Sequence, residues 1–206
     1  MNLNYNYWYF QNAFTPEQCD RIIKMGMQED FEYGEVNRNK TEGIKDYSEK
    51  DKDKLFETRN SHISWIDEPW IYNILKKYID AANKSAGWNF QWDWTEMMQF
   101  TKYDVGQFYH WHPDQHHYVY PEDDTNVNMR GKYRKLSTTL LLNDPSEFEG
   151  GELEFHYNRT ETKVAKELSS KGTLVVFPAF VYHRVREVTA GTRYSLVSWS
   201  IGAPFR

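Results

Sequence analysis

From Trp88 onward the chain is cut into short runs of strand length, and this segmentation constrains the fold more than any other feature. "WNFQWDWTEMMQFTKY" puts Trp88, Phe90, Trp92 and Trp94 on one parity, the period of a strand with one buried face. "GQFYHWHPD", "KLSTTLLLN", "GELEFHY", "GTLVVF", "HRVREVT" and "TRYSLVSWSI" follow, separated by turn-forming "NDPSEFEGG", "SSKG" and "TAG". Many short strands with brief connections predict an antiparallel barrel or sandwich.

Two segments ahead of the strands read as helices. In "AFTPEQCDRIIKMGMQ", Thr15 is placed to cap, Pro16 suits the first helical position and Gln18 completes a capping box. Ile22, Ile23 and Met27 mark its apolar face. "EPWIYNILKKYIDAANKSAG" repeats Trp70, Ile74, Leu75, Tyr78 and Ile79 at helical spacing, with Gly87 past its end. Between the helices, residues 37–59 mix both charge signs without periodicity and read as a solvated loop, with a flap over a site as the functional alternative. No repeat or linker intervenes. The expectation is one domain over 1–206, with 1–87 as helical N-terminal support and 88–206 as the β core.

Aromatic residues make up 17% of the chain, so the core is expected to be built from rings as much as from aliphatics. A net charge of -5 argues against a broad nucleic-acid surface. A single cysteine, Cys19, excludes an internal disulfide and fits a reducing compartment. No apolar run approaches membrane-spanning length, and "MNLNYNYWYF" lacks the basic start and apolar run of a signal peptide. A soluble, cytoplasmic protein that binds no membrane is expected.

The chemistry concentrates in "YDVGQFYHWHPDQHHY", residues 103–118, which holds four of the seven histidines. On a strand, His110, His112 and Asp114 share one face and Trp111 and Pro113 the other. A histidine and a carboxylate two apart can reach one ion. A third ligand must come from elsewhere: His62, His116, His117, His156 or His183. His183 is favoured, because it follows an apolar strand stopped by Pro178 and so has a defined position. Two histidines and a carboxylate leave three positions of an octahedral ion open, the arrangement of non-haem Fe(II) oxygenases. Zinc hydrolases can use the same set.

Arg193 lies further on, in "GTRYSLVSW", where it shares a strand face with Ser195. Its planar fork matches a carboxylate. A dicarboxylate with the shape of 2-oxoglutarate, chelating a metal through one end, would present its other end to such an arginine. The structural alternative pairs Arg193 with one of the chain's 30 acidic residues.

Taken in order, "YDVGQFYHWHPD … KLSTTLLLNDPSEFEGGELEF … KGTLVVFPAFVYHRVREVTAGTRYSLVSWSIGAPFR" resembles the Fe(II)/2-oxoglutarate-dependent dioxygenases of the prolyl 4-hydroxylase superfamily, and most of all the PKHD-type hydroxylases. The resemblance covers roughly residues 95–206 and extends to the Cys19 helix. It implies a double-stranded β-helix, a jelly roll, flanked by α-helices. It implies Fe(II) held by His112, Asp114 and His183, with O2 and 2-oxoglutarate as co-substrates and ascorbate as an accessory. By the same resemblance, Arg193 holds the far carboxylate of 2-oxoglutarate and Tyr103 hydrogen-bonds it. Ser137, Ser195 and Trp199 line the co-substrate pocket, and Gly150 and Gly151 form a sharp turn. His110, which varies in the family, is expected to orient Asp114 or a water. Loop 115–135 is expected to shape the substrate entrance.

The implied reaction hydroxylates a prolyl or other residue of a peptide or protein and releases succinate and CO2. A free amino acid or other small metabolite is the alternative substrate. A non-enzymatic jelly-roll binding module is the alternative of another class. The resemblance sets no oligomeric state.

Overall fold

The structure, a computed structural model, describes residues 3–34, 57–158 and 160–205. Its N-terminal part contains strand β1 (Trp8–Phe10), helix α1 (Pro16–Gly26), β2 (Glu32–Tyr33), β3 (Arg59–Asn60), β4 (His62–Ile66) and helix α2 (Pro69–Ser85). Then come β5 (Trp94–Thr95), β6 (Met98–Tyr103), β7 (Phe108–His112), β8 (Tyr133–Leu141), β9 (Phe148–Gly150), β10 (Leu153–His156) and β11 (Thr162–Val164). The last four strands are β12 (Leu174–Pro178), β13 (His183–Val185), β14 (Val188–Gly191) and β15 (Arg193–Gly202).

The strands form a major sheet in the order β1-β12-β8-β15-β6-β4-β2, with β5 beside β15, and a minor sheet in the order β11-β10-β13-β7-β3. All of these pairings are antiparallel. The fold is mainly β, a double-stranded β-helix carrying helices on one side, as expected.

Alternation along the major strands explains the layering. Met98 and Phe100, Leu136 and Leu140, Leu174 and Val176, and Leu196 form one face and pack with Ile22, Ile71, Leu75 and Ile79 of the two helices. Each such fully buried aliphatic stabilises the fold by about 1.5–3 kcal/mol. On β12 the opposite parity, Val175 and Phe177, meets Leu153, Phe155 and Val185 of the minor sheet. Phe155 and Phe177 pack edge to face across this interior at 5.0 Å.

Towards the middle of the major sheet, that inner parity turns polar. Gln99 and Thr101, Ser137 and Thr139, and Arg193 and Ser195 are all buried. Register brings them together: Thr101 faces Ser195, Tyr103 faces Arg193, and Ser137 lies between Phe177 and Trp199.

Helix α1 starts as expected. Thr15 Oγ1 accepts from the Gln18 N–H and Gln18 returns the bond to the Thr15 N–H, with Pro16 in the first turn. Ile22 is buried, but Met27 is the exposed cap residue rather than part of the apolar face. In α2 the most buried residues are Ile71, Leu75, Ile79, Ala82 and Asn83, while Trp70, Ile74 and Tyr78 pack at the margin.

Three expectations need correction. The alternating segment 88–93 forms no strand, and Asn89 within it takes a positive φ of 53; Asn83 satisfies both the N–H and the carbonyl of Phe90 from helix α2. "HRVREVT" divides between β13 and β14. The N-terminal part also supplies strands, with β4 entering the major sheet and β3 edging the minor one. The charged loop expected at 37–59 lies, apart from its last three residues, outside the described residues.

Candidate metal centre

His112 ends β7 and His183 begins β13, and the two are cross-strand partners. Their ring centroids are 4.2 Å apart. Asp114 stands in the turn after β7 rather than on the strand, and its N–H and that of Gln115 both donate to the Ala179 carbonyl, at 2.8 and 2.9 Å. This ties the aspartate to the segment leading into β13. Asp114 Oδ1 comes within 3.7 Å of His112 Nε2, and Oδ2 within 3.6 Å of His183 Nε2. The three ligand atoms lie within 4.8 Å of one another, and all three residues are buried. Among the described residues this is the one such group of His, Cys, Asp and Glu side chains.

The donor set fits a divalent metal ion. His112 Nδ1 lies 2.7 Å from the His110 carbonyl, and His183 Nδ1 lies 3.0 Å from the Val181 carbonyl. A carbonyl only accepts, so each Nδ1 carries the proton and each Nε2 presents a lone pair to the shared space. Burial, reinforced by the neighbouring His183, pushes the His112 pKa well below the ordinary histidine range, which keeps the ring neutral. Burial pushes the Asp114 carboxyl up, but its surroundings, Arg134 among them, bring it below its ordinary value, so Asp114 is a carboxylate. Its buried Oδ2 has no hydrogen-bond partner. A buried, unpartnered carboxylate oxygen facing two lone pairs calls for a cation.

The expectation for His110 is overturned. Two residues of β13, from His183 to Val185, span from His112 to Tyr109 on β7, which is a β-bulge. The extra residue breaks the alternation. Tyr109 therefore comes to the ligand side and stacks on His112 at 3.4 Å. The His110 side chain is exposed against Phe108, and only its carbonyl serves the centre. The other candidates do not join. His62 pairs with Asp104 at 3.8 Å, His116 stacks on Tyr118, and His156 packs on Trp111.

Arg193 is 2% exposed and donates to Ser195 Oγ at 3.1 Å. No acidic side chain among the described residues pairs with it. Burial alone lowers its pKa, against a smaller opposing effect of Tyr103. Its guanidinium lies 5.6 Å from the Tyr103 ring. The structural alternative, an arginine paired with an internal acid, is therefore not what the described residues contain. Gly151 makes room for the side chain: at φ +65, a Cβ there would stand 2.8 Å from Arg193 Cδ. Gly150, at φ +74, turns so closely over the Glu187 carbonyl that a Cβ would collide with it.

Ser137 Oγ and Trp199 Nε1 are also buried without partners, and the two residues face each other across β8 and β15. With Asp114 Oδ2, they give this interior three unsatisfied polar atoms.

Sequence reasoning missed the two arginines that frame the interior. Arg134 grips Glu96 through two 2.8 Å bonds, stacks over Trp199 at 3.7 Å and reaches the Asp114 carbonyl at 3.4 Å. Tyr120, from the loop after the ligands, donates to the same Glu96 at 2.8 Å and anchors that loop. Arg59, buried on β3, donates to Ser61 Oγ and Gln99 Oε1. Nothing in its sequence neighbourhood marks it. The polar parity of "QFTKY" was the available signal, but a polar parity normally means solvent. A separate cleft of about 580 Å³, lined by Tyr5, Trp8, Tyr157 and Lys163 among others, shares no residue with the centre.

Known proteins are similar to this chain. The profile of the 2OG-Fe(II) oxygenase superfamily matches residues 98–201. A PKHD-type hydroxylase of Prochlorococcus marinus is 34% identical over 76% of this chain and 59% of its own length. One from Psychrobacter sp. (strain PRwf-1) is 37% identical over 48% of this chain and 36% of its own. The chain thus spans between about a third and three fifths of these relatives. Among solved structures, the viral collagen prolyl hydroxylase of Paramecium bursaria chlorella virus-1 shares the fold at TM-score 0.64 and 19% identity, covering 98% of each chain. A Pseudomonas putida prolyl-4-hydroxylase does so at 0.59 and 19%, covering 96% of this chain and 92% of its own.

Proposed function

The chain belongs to the 2OG-Fe(II) oxygenase superfamily, and from that premise we propose that it is an Fe(II)- and 2-oxoglutarate-dependent dioxygenase hydroxylating a prolyl or other residue of a peptide or protein. The observation that carries this reading is the pairing of a buried His-Asp-His cluster with a buried arginine that has no acidic partner among the described residues. A jelly roll that only bound a partner would have no use for both, which counts against the binding-module alternative.

In this reading His112, Asp114 and His183 hold the iron, the two imidazoles through Nε2. The bound iron and 2-oxoglutarate supply the activation of O2: one oxygen atom goes to the substrate C–H bond, the other to succinate, and CO2 leaves. Arg193, braced by Ser195, receives the far carboxylate as a charge-assisted pair. Tyr103 stands across from it on β6, kept a neutral phenol by burial and thus able to donate. Ser137 and Trp199 offer the two unsatisfied donors to ligands entering from the metal side. The family assigns the chain's own residues no covalent role; they bind, orient and exclude water.

The peptide substrate is favoured by the relatives, since the solved neighbours include a prolyl hydroxylase of Trichoplax adhaerens in complex with a peptide fragment. A free amino acid is the outcome that would displace it. The test is anaerobic 2-oxoglutarate binding to Fe(II)-loaded protein, read from the visible metal-to-ligand charge-transfer band. The band is expected in wild type and lost or weakened in His183→Ala and Arg193→Ala. Its absence from iron-loaded wild type would defeat the reading. Succinate release with a peptide library against free amino acids, with and without ascorbate, then separates the substrate classes.

A further inference from the structure

Tyr109 has no part in the mechanism above, yet it makes the tightest ring contact with either histidine ligand. Its ring lies 3.4 Å from that of His112, at an interplanar angle of 12°. On its own account, the Arg59 guanidinium lies over the Tyr109 ring at 4.4 Å. Arg59 is itself fixed by bonds to Ser61 Oγ at 2.9 Å and Gln99 Oε1 at 2.7 Å. Three planar groups, Arg59, Tyr109 and His112, therefore follow one another in contact.

We propose that Tyr109 is a positioning residue that fixes the ring plane of His112 for metal binding, with Arg59 backing it. The proposal rests on the reading of the cluster as a metal centre. The bond from His112 Nδ1 to the His110 carbonyl holds one edge of the imidazole. It leaves the ring free to tilt about that edge, and tilt swings Nε2 off the shared point. A parallel aromatic face removes that freedom. Metal geometry tolerates only about 10–20° of such error. The bulge in β7 is what delivers the ring, because regular alternation would bring residue 110 to this side instead.

The two histidines differ in this support. His183 has the matching carbonyl bond, to Val181, but its nearest aromatic other than His112 is Phe177, tilted 62° at 4.6 Å. It has no parallel stack among the described residues. Loss of the Tyr109 ring should therefore disturb His112 and spare His183, which makes His183 an internal control.

The experiment uses Co(II) as the probe, in wild type, Tyr109→Phe and Tyr109→Leu. Metal affinity comes from titration of the visible bands. The exchangeable Nδ1–H signals of the two ligands come from paramagnetic proton NMR, and thermal unfolding of the metal-free proteins controls for folding. Tyr109→Phe keeps the ring and should bind as wild type does. Tyr109→Leu should bind about 10-fold or more weakly, the usual loss when a residue supporting a ligand is removed. Only the His112 signal should shift or broaden. Unchanged affinity and unmoved signals in Tyr109→Leu would show the stack to be packing alone. Equal disturbance of both signals with a lowered melting point would mean general destabilisation, and would also overturn the proposal. Wild type that fails to bind Co(II) would remove the metal centre, and this inference with it.

Discussion

Replacing Arg193 with methionine should make the ligand-free protein more stable while weakening its binding of 2-oxoglutarate. Arg193 is among the largest side chains fully buried in the molecule, and among the described residues its one hydrogen bond is to Ser195. Burying a charge costs several kcal/mol, and a single hydrogen bond from the charged group to a neutral hydroxyl returns only about 1.5–3 kcal/mol of it. Methionine keeps the aliphatic stem that packs beside Gly151 and removes the charge. The net gain should be roughly 2 kcal/mol after the stranded Ser195 hydroxyl is counted. For a chain of this length that raises the melting temperature by about 4–8 °C. The same substitution deletes a buried charge pair with the bound anion, worth at least about 2 kcal/mol, so affinity should fall some 30-fold or more. Scanning calorimetry of metal-free protein reads the first effect, and anaerobic titration of the charge-transfer band reads the second. A variant that melts below wild type would show that Arg193 is satisfied inside the fold. Undiminished affinity would place the anion elsewhere.

Other substitutions probe the surrounding framework. Lys135 is buried, and burial lowers its amine to about 8. The unfolded chain then holds more protons than the folded one from pH 8 towards the ordinary lysine value, so stability should rise across that interval, by up to about 3 kcal/mol. Urea unfolding between pH 7.5 and 9.5 should show this rise in wild type and lose it in Lys135→Met. Gly151→Ala forces a left-handed conformation and a Cβ against Arg193, and should cost about 1–3 kcal/mol while weakening 2-oxoglutarate binding in parallel. Arg134→Met leaves Glu96 with only the Tyr120 hydroxyl and should cost about 3 kcal/mol, whereas the Arg134→Met, Glu96→Met double variant should recover much of it in denaturant melts.

What the sequence disclosed depended on whether a signal was local. The cap at Thr15 and the α2 face follow from spacings within one element, and both appear in the structure with only marginal shifts. His112, Asp114 and His183 could be picked from chemistry plus the defined end of an apolar strand, and they meet as expected. His110 failed because parity assumes an unbroken strand, and a bulge depends on the register with β13, which only the assembled sheet decides. Residues 88–93 failed in the opposite sense: burial alternates without a ladder, and at Phe90 the side chain of Asn83 from a helix takes the place of a partner strand. Arg59 and Arg134 gave no signal, since a buried arginine is defined by what surrounds it in space.

The placement of the ligands also bears on the history of each molecule. His112 and His183 are separated by about a third of the chain and become neighbours only when β7 and β13 pair. Asp114 is fixed by a bond from its own N–H to Ala179, reached across nearly the same distance. A growing chain that has emitted only the first two ligands lacks the third, and contacts of such long range are slow to form. Loading is therefore a step that follows closure of the sheet rather than one that nucleates it, unlike small domains that fold around their ion. On this ground a chelator should return the protein to a folded, reloadable form.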